Sequence, residues 1–334
     1  MRNTITFDDV LLTPQYSEIV SRKSIDISSA LSQNIVLDLP IIAAPMDTVT
    51  NSHLISTMNK YGATGVLHRY NSVHQQASAL KRIDGVKAGA VGVTGDYVDR
   101  AMRLIDAGAT IICIDVAHGH HALVRHALKV LRNTLGHDIH IMVGNVATLE
   151  AFNDLADWGA DSIKVGIGGG SICSTRVQTG HGVPTLQSVL DCARSDRDVK
   201  IIADGGIKSS GDMVKAIAAG ADFVMVGSLL AGTIEAPGDS ITIAGKQYKK
   251  YRGMASIEAQ IDWRGHTASV EGVSHMVPAQ GRLEKVLKDL EGGIRSGFSY
   301  TGALNIVDFQ SKAEFVKQTS AGLYESRTHI KDRF

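Results

Sequence analysis

The sequence predicts an α/β protein, a (β/α)8 TIM barrel with a flap inserted after the eighth strand. Three observations carry that expectation. Eight short apolar runs are bounded by glycine, helical periodicity fills the stretches between them, and polar residues gather just past the runs. The runs are Ile41–Met46, Gly65–His68, Ala88–Val93, Ile111–Val116, Ile139–Gly144, Ser162–Gly166, Lys200–Gly205 and Phe223–Gly227. Nearly continuous apolar strands of this kind are those covered on both faces. Between them, Val98, Met102, Leu104 and Ile105 recur at helical spacing, and three helices end on Gly108, Gly159 and Gly220, each followed by alanine. Glycine suits the left-handed residue that closes a helix. A doubly wound open sheet is the rival architecture, and eight similar units favour closure.

The remaining length falls outside the barrel. Of 334 residues, roughly 250 make a bare barrel, which leaves a lead-in, a flap at about 237–281 and a tail within one domain spanning 1–334. The flap is expected to hold a hairpin, Ile241-Thr242-Ile243 turning at Ala244-Gly245 into Gln247-Tyr248. From Ile257 to Gly272 the chain is polar with few apolar anchors, and a helical segment follows around Leu283 to Leu290. About twenty residues separate the second and third strands, room for one helix and no inserted domain.

Composition narrows the function. The 34 basic and 34 acidic side chains balance at pI 7.2, without the basic surplus that a nucleic-acid or membrane-surface partner calls for. No signal-peptide-like start and no membrane-length apolar run is present, so the reading is a soluble, cytoplasmic protein. Cys113, Cys173 and Cys192 form no CxxC pair, and neither disulfides nor a cysteine-rich zinc site is expected.

The strongest local signal is the loop after strand six, Gly166-Ile167-Gly168-Gly169-Gly170-Ser171-Ile172-Cys173-Ser174-Thr175-Arg176. Its glycines let backbone groups turn toward a phosphate or a cation, and they bring a thiol to the barrel mouth. Cys173 is the candidate nucleophile, whereas Cys113 in a strand and Cys192 on a helix read as small buried apolar groups. Thr175 can pass a proton only with a stronger base behind it. Asp204-Gly205-Gly206 and Gly227-Ser228 end strands seven and eight, the usual barrel phosphate site, so the ligand is expected to be phosphorylated, with its ribose at Asp204. Asp115-Val116-Ala117-His118-Gly119-His120-His121 reads as a ligand-facing loop rather than a metal cluster, because no carboxylate partner or zinc spacing accompanies it. The tail motif Gly322-Leu323-Tyr324-Glu325-Ser326 is weighed against simple fraying of a chain end.

Taken together, Phe7-Asp8-Asp9-Val10-Leu11-Leu12, Ala44-Pro45-Met46-Asp47, Gly170-Ser171-Ile172-Cys173, Ala203-Asp204-Gly205-Gly206-Ile207, Met225-Val226-Gly227-Ser228, Tyr251-Arg252-Gly253-Met254 and Gly292-Gly293-Ile294-Arg295-Ser296 resemble the IMP dehydrogenase/GMP reductase family, in order, over nearly the whole chain. The resemblance implies a barrel, usually tetrameric, that binds a purine nucleotide, GMP or IMP, and a nicotinamide cofactor at its mouth. It implies a covalent bond between Cys173 and purine C2, with Glu271 acting through Thr175. Ser171, Asp204, Gly205, Gly206, Gly227, Ser228 and Tyr251 would contact phosphate and ribose, and Gly253 and Met254 would lie near the base. The cofactor would meet Asp115, Val116, Ala117, Gly166, Ile167 and Gly168, and also Ser296, Gly297, Phe298 and Ser299. A potassium ion would be held at Gly168, Gly170, Cys173 and Arg176.

Two features bear on the branch. The dehydrogenases usually carry a regulatory CBS pair between strands two and three and a long flap with an Arg-Tyr pair that activates water. Here that gap is short, and residues 253 to 271 contain no Arg-Tyr pair, Trp263-Arg264 being the nearest imitation. Ser269-Val270-Glu271-Gly272 fits the short reductase flap, so the expectation is NADPH-dependent conversion of GMP to IMP and ammonia. Ala231 to Gly238 and Thr319 to Ser326 look dehydrogenase-like, and Gly169 stands where both branches usually have proline. The alternative is therefore an NAD-dependent IMP dehydrogenase without CBS modules, and a lesser one is a catalytically silent nucleotide sensor.

Overall fold

The computed structural model describes residues 1–327. Eight parallel strands close into a barrel in chain order: β1 (Ile41–Ala43), β2 (Thr64–Leu67), β3 (Ala88–Val91), β4 (Ile111–Asp115), β5 (His140–Val146), β6 (Ser162–Val165), β7 (Lys200–Asp204) and β8 (Phe223–Val226), with β8 pairing back onto β1. Each strand lies within or overlaps one predicted run. Most stop short of its end because the last residues leave the ladder to enter the barrel mouth. β5 runs two residues further than expected, and its register against β6 shifts between Gly144 and Val146.

Two layers of hydrocarbon hold the wall. Ile42, Val66, Ile111, Met142, Ile202 and Phe223 fill the interior, while Ile41, Ile112, Val143, Ile163 and Val224 pack outward against the helices. The glycines that end the helices adopt the left-handed conformation, with φ of +95° at Gly108, +107° at Gly159 and +109° at Gly220. Only glycine takes that backbone without a Cβ penalty, which is why the motif repeats.

Several elements outside the wall were not foreseen. A hairpin of Ser29–Ser32 and Ile35–Leu37 closes the bottom of the barrel and adds Leu31, Ile35 and Leu37 to the inner cluster. Val10–Leu12 pairs antiparallel with Phe315–Lys317 near the tail. The tail motif is ordered, with Gly322–Glu325 inside a short helix, Ser320–Glu325, capped by Thr319. In the flap, the expected hairpin forms from Ser240–Ile243 and Lys246–Arg252, and its turn residues Ala244 and Gly245 have φ of +49° and +76°. A third strand, Ser274–Pro278, and a helix, Ile257–Arg264, complete it. The segment predicted around Leu283 to Leu290 continues as a 19-residue helix, Leu283–Thr301. Among the described residues, no helix is long and apolar enough to cross a membrane.

Candidate active site

The loops after β1, β2, β4, β6, β7 and β8 meet the flap around a cavity of about 440 Å³ at the C-terminal end of the barrel. Cys173 sits at its wall, exposed, on a loop that turns at Gly170, whose carbonyl accepts the Cys173 N–H at 3.1 Å. The flap meets this loop edge to edge. Ser174 N–H donates to the Glu271 carbonyl at 2.9 Å, Val273 N–H donates to the Ile172 carbonyl at 3.0 Å, and Cys173 bridges to Gly272. That seam aligns three side chains. The Cys173 thiol donates to the Thr175 hydroxyl at 3.2 Å, and the hydroxyl donates to Glu271 Oε2 at 2.8 Å. Ser269 anchors the other carboxylate oxygen at 3.1 Å. A thiol proton therefore has a continuous path to a carboxylate, the arrangement that activates a sulfur nucleophile.

Asp204, Gly205, Gly206, Gly227, Ser228, Ser171 and Tyr251 line the same cavity, together with Gly253 and Met254. Backbone amides and hydroxyls at the ends of β7 and β8 suit a phosphate. A side chain at Gly227 would fall 2.8 Å from the Tyr251 hydroxyl, so a larger residue there would collide with the ring. Burial pushes the Tyr251 phenol up to about 12, and Ser171 hydrogen-bonds to it. The phenol is thus a neutral donor at ordinary pH. Asp204 is anchored by Asn145, whose amide donates to it at 2.8 Å. Burial raises its pKa, and Lys164 and Asn145 pull it back.

A groove of about 270 Å³ adjoins the cavity, lined by Asp115, Val116, Ala117 and Gly166 to Gly170, with Arg69 and Tyr70. Asp115 faces Lys164, which is wholly buried on β6. Burial works against the Lys164 charge, but Asp115, with Cys113 and Asp204 nearby, holds the ammonium protonated, above the ordinary lysine range. Arg69 Nη2 donates to the Asp115 carbonyl at 3.3 Å, and its Nε is buried without a partner. A carboxylate for ribose hydroxyls, an apolar Val116-Ala117 wall and an unused donor fit the nicotinamide half of a dinucleotide.

Other expectations meet different surroundings. Ser296, Gly297, Phe298 and Ser299 are not brought to the cavity. They lie on the Leu283–Thr301 helix, where Phe298 is fully buried and stacks on Phe309 at 4.0 Å, and a Cβ on Gly297 would strike Val214. The residues expected to hold potassium, Gly168, Gly170, Cys173 and Arg176, lie on the loop after β6 and the short helix Thr175–Thr179 that follows it. The Arg176 side chain is itself a cation, and its guanidinium donates to the carbonyls of Ile167 and Val183 at 3.1 and 2.6 Å, while its own carbonyl accepts from Gly180. In the histidine loop, His120 Nε2 is 2.8 Å from Asp154 and His121 caps the helix Ala122–Leu135. Among the described residues, no group of three or more His, Cys, Asp or Glu side chains is placed to hold a metal. Cys113 and Cys192 are buried, with thiols pushed up to about 12 by burial.

Sequence reasoning passed over the polar frame of the site. Asp47 and Arg252, both largely buried, pair at 2.6 Å, Arg252 reaches Asp262 at 2.5 Å, and the Trp263 indole N–H donates to Asp47 at 3.0 Å. This set ties the flap helix to the loop after β1. Arg264 and Tyr70, far apart in the chain, line the same cavity. The available signal for Lys164 was a lone lysine within a run otherwise expected to be buried on both faces, which demands a counter-ion.

A family model described as the IMP dehydrogenase/GMP reductase domain matches residues 4–329. Similar proteins include an inosine-5'-monophosphate dehydrogenase of Nitrosopumilus maritimus, 34% identical over 97% of this chain and 98% of that protein. A GMP reductase of Leishmania major is also 34% identical, over 97% and 96% respectively. Among solved structures, a cysteine-to-alanine variant of Trypanosoma brucei GMP reductase in complex with guanosine 5'-monophosphate superposes with a TM-score of 0.93 at 30% identity, covering 98% of each chain.

Proposed function

The chain belongs to the IMP dehydrogenase/GMP reductase family of oxidoreductases, and within it we propose that it reductively deaminates GMP to IMP and ammonia, using NADPH. The observation that carries this reading is the Cys173–Thr175–Glu271 chain on a short flap. Cys173 loses its proton through Thr175 to Glu271 and attacks purine C2. Glu271 returns that proton through Thr175 to the departing amine, ammonia leaves, and a thioimidate joins sulfur to C2. A nicotinamide dinucleotide, when bound in the groove beside Asp115, would supply hydride to C2, and the Cys173 thiolate would then leave as IMP is released. Asp204 holds the nucleotide ribose, Ser171, Gly206, Gly227, Ser228 and Tyr251 hold its phosphate, and Asp115 with Val116 and Ala117 holds the nicotinamide ribose. The reading requires that water not hydrolyse the thioimidate to XMP, and residues 253 to 271 carry no Arg-Tyr pair to activate it. The kinship supports a homotetramer.

One observation favours the dehydrogenase alternative. Arg264 and Tyr70 both line the cavity, an arginine and a phenol from separate segments. The deciding experiment offers both substrate pairs to the purified protein. Oxidation of NADPH with GMP, with stoichiometric ammonia, is the expected result. Reduction of NAD with IMP, yielding XMP, would overturn it, and binding without turnover of either pair would mark a sensor.

A further inference from the structure

Lys249, on the flap strand Lys246–Arg252, is buried, with 6% of its surface exposed. A buried ammonium usually has a carboxylate beside it. Here the acceptors are backbone carbonyls: Nζ donates to Thr233 at 2.9 Å, to Ala236, and to Ile234 at the long limit of 3.5 Å. Three N–H donors thus face three oxygens, the full capacity of an ammonium and one more than a neutral amine could supply. Lys250, the next residue, makes the ordinary choice and pairs with Glu258 at 2.5 Å. Carbonyl oxygens converging from one turn are the ligands that a monovalent cation takes.

That turn is continuous with the phosphate end of the cavity. It follows the short helix Ser228–Ala231, and Thr233 ties it there, its hydroxyl donating to the Leu230 carbonyl at 2.7 Å and its N–H to the same oxygen at 3.0 Å. Two residues along the flap strand, and so on the same face as Lys249, Tyr251 meets the other end of the helix. A Cβ at Gly227 would fall 2.8 Å from its hydroxyl. One strand therefore grips the segment that carries Ser228 at both ends.

We propose that Lys249 is a positioning residue that acts as a built-in monovalent cation: its ammonium holds the 233–236 turn against the helix and so sets Gly227 and Ser228 for the nucleotide phosphate. The inference rests on the phosphate assignment made above. The carbonyl dipoles offset the cost of burying the charge, and without the charge they are left facing one another unpaired.

Lys249→Ala keeps Cβ and removes the atoms that n-propylammonium would restore, so the test is chemical rescue. Thermal unfolding and GMP binding by calorimetry are each measured in sodium chloride, in equimolar n-propylammonium chloride, and with n-propanol, which fills the same space without charge. The alanine variant should unfold at lower temperature and bind GMP about 10-fold more weakly than the unaltered protein. n-Propylammonium should recover most of both losses and n-propanol neither, while the unaltered protein responds to neither. If the alanine variant does not fold in sodium chloride, folding recovered by n-propylammonium and not by n-propanol is the expected result. Lys249→Met, which keeps a long apolar stem and deletes the donors, should then bind GMP about 10-fold more weakly. An alanine variant that n-propylammonium helps no more than n-propanol overturns the built-in cation, and GMP affinity unimpaired in the alanine or methionine variant overturns the positioning role. If the unaltered protein binds no GMP while n-propylammonium still restores unfolding of the alanine variant, the nucleotide reading fails and the built-in cation stands.

Discussion

The barrel wall and the flap meet at one thiol but are held together by different forces. On the wall, Val143, Ile163, Ile202 and Phe223 have no exposed surface. On the flap helix Ile257, Ile261 and Trp263 remain 54, 51 and 41% exposed, and the attachment runs through Arg252, Asp47, Asp262 and the Trp263 indole. Hydrocarbon burial is non-directional and adds up over many residues, at about 25 cal/mol per Å². A tie of a few polar contacts, each worth about 1 kcal/mol net, can open by itself while the wall stays intact. The same chain thus carries a rigid barrel mouth and a flap held to it largely by polar contacts.

Four measurements break or sharpen that contrast. Cys173→Ala, where wall and flap meet, should lower turnover about 10⁴-fold or more, roughly 5 kcal/mol of activation free energy, while GMP still binds. Calorimetry beside a steady-state assay checks both halves of that statement. A cut in the wall acts on stability instead. Ile163→Ala should cost about 3 kcal/mol by denaturant unfolding, with kcat at low temperature nearly retained.

Acid should also find the wall. His140 is buried beside Ser162 at 2.8 Å, and burial depresses its imidazolium to about 4 from the ordinary 6.5. The folded pKa is the lower one, so between these values the unfolded chain binds the extra proton. Stability conferred by the neutral ring is whole above about pH 6.5 and falls toward pH 4, by at most about 3 kcal/mol. Unfolding midpoints at pH 7 and pH 5 should therefore differ more in the unaltered protein than in His140→Gln. The smallest effect belongs to the flap. Trp263→Phe removes one indole hydrogen bond to Asp47, about 1 kcal/mol, and should raise the nucleotide KM several-fold and speed hydrogen exchange in the flap helix. Protection of the barrel strands should not change, and loss of protection there would erase the distinction between the two regions.

What was legible follows the same division. The eight strands announce themselves because a strand buried on both faces must be apolar, and glycine marks where each helix ends. The flap helix Ile257–Arg264 does not, since only Ala259 and Gln260 are buried and its face carries almost no apolar pattern. Ser274–Pro278 joins its sheet through backbone hydrogen bonds, which leave little trace in side-chain order. In the site, the glycines around Cys173 and at the ends of β7 and β8 were readable because close backbone approach needs them. Asp47, Asn145 and Lys164 work through partners tens to hundreds of residues away, and their pairing exists only once the barrel closes. Ser296 to Ser299 lie on the helix Leu283–Thr301, whose buried residues include Phe298, and not in the lining of that cavity.

The seam between Thr175 and Glu271, 96 positions apart in the chain, has one more consequence. Nucleophile and proton acceptor belong to separate excursions, so the sulfur has its route for losing a proton only while the two touch. Without that contact, Thr175 would have no carboxylate behind it to take the thiol proton. With the contact made, as here, the thiol keeps its solvent exposure and gains a carboxylate to receive its proton.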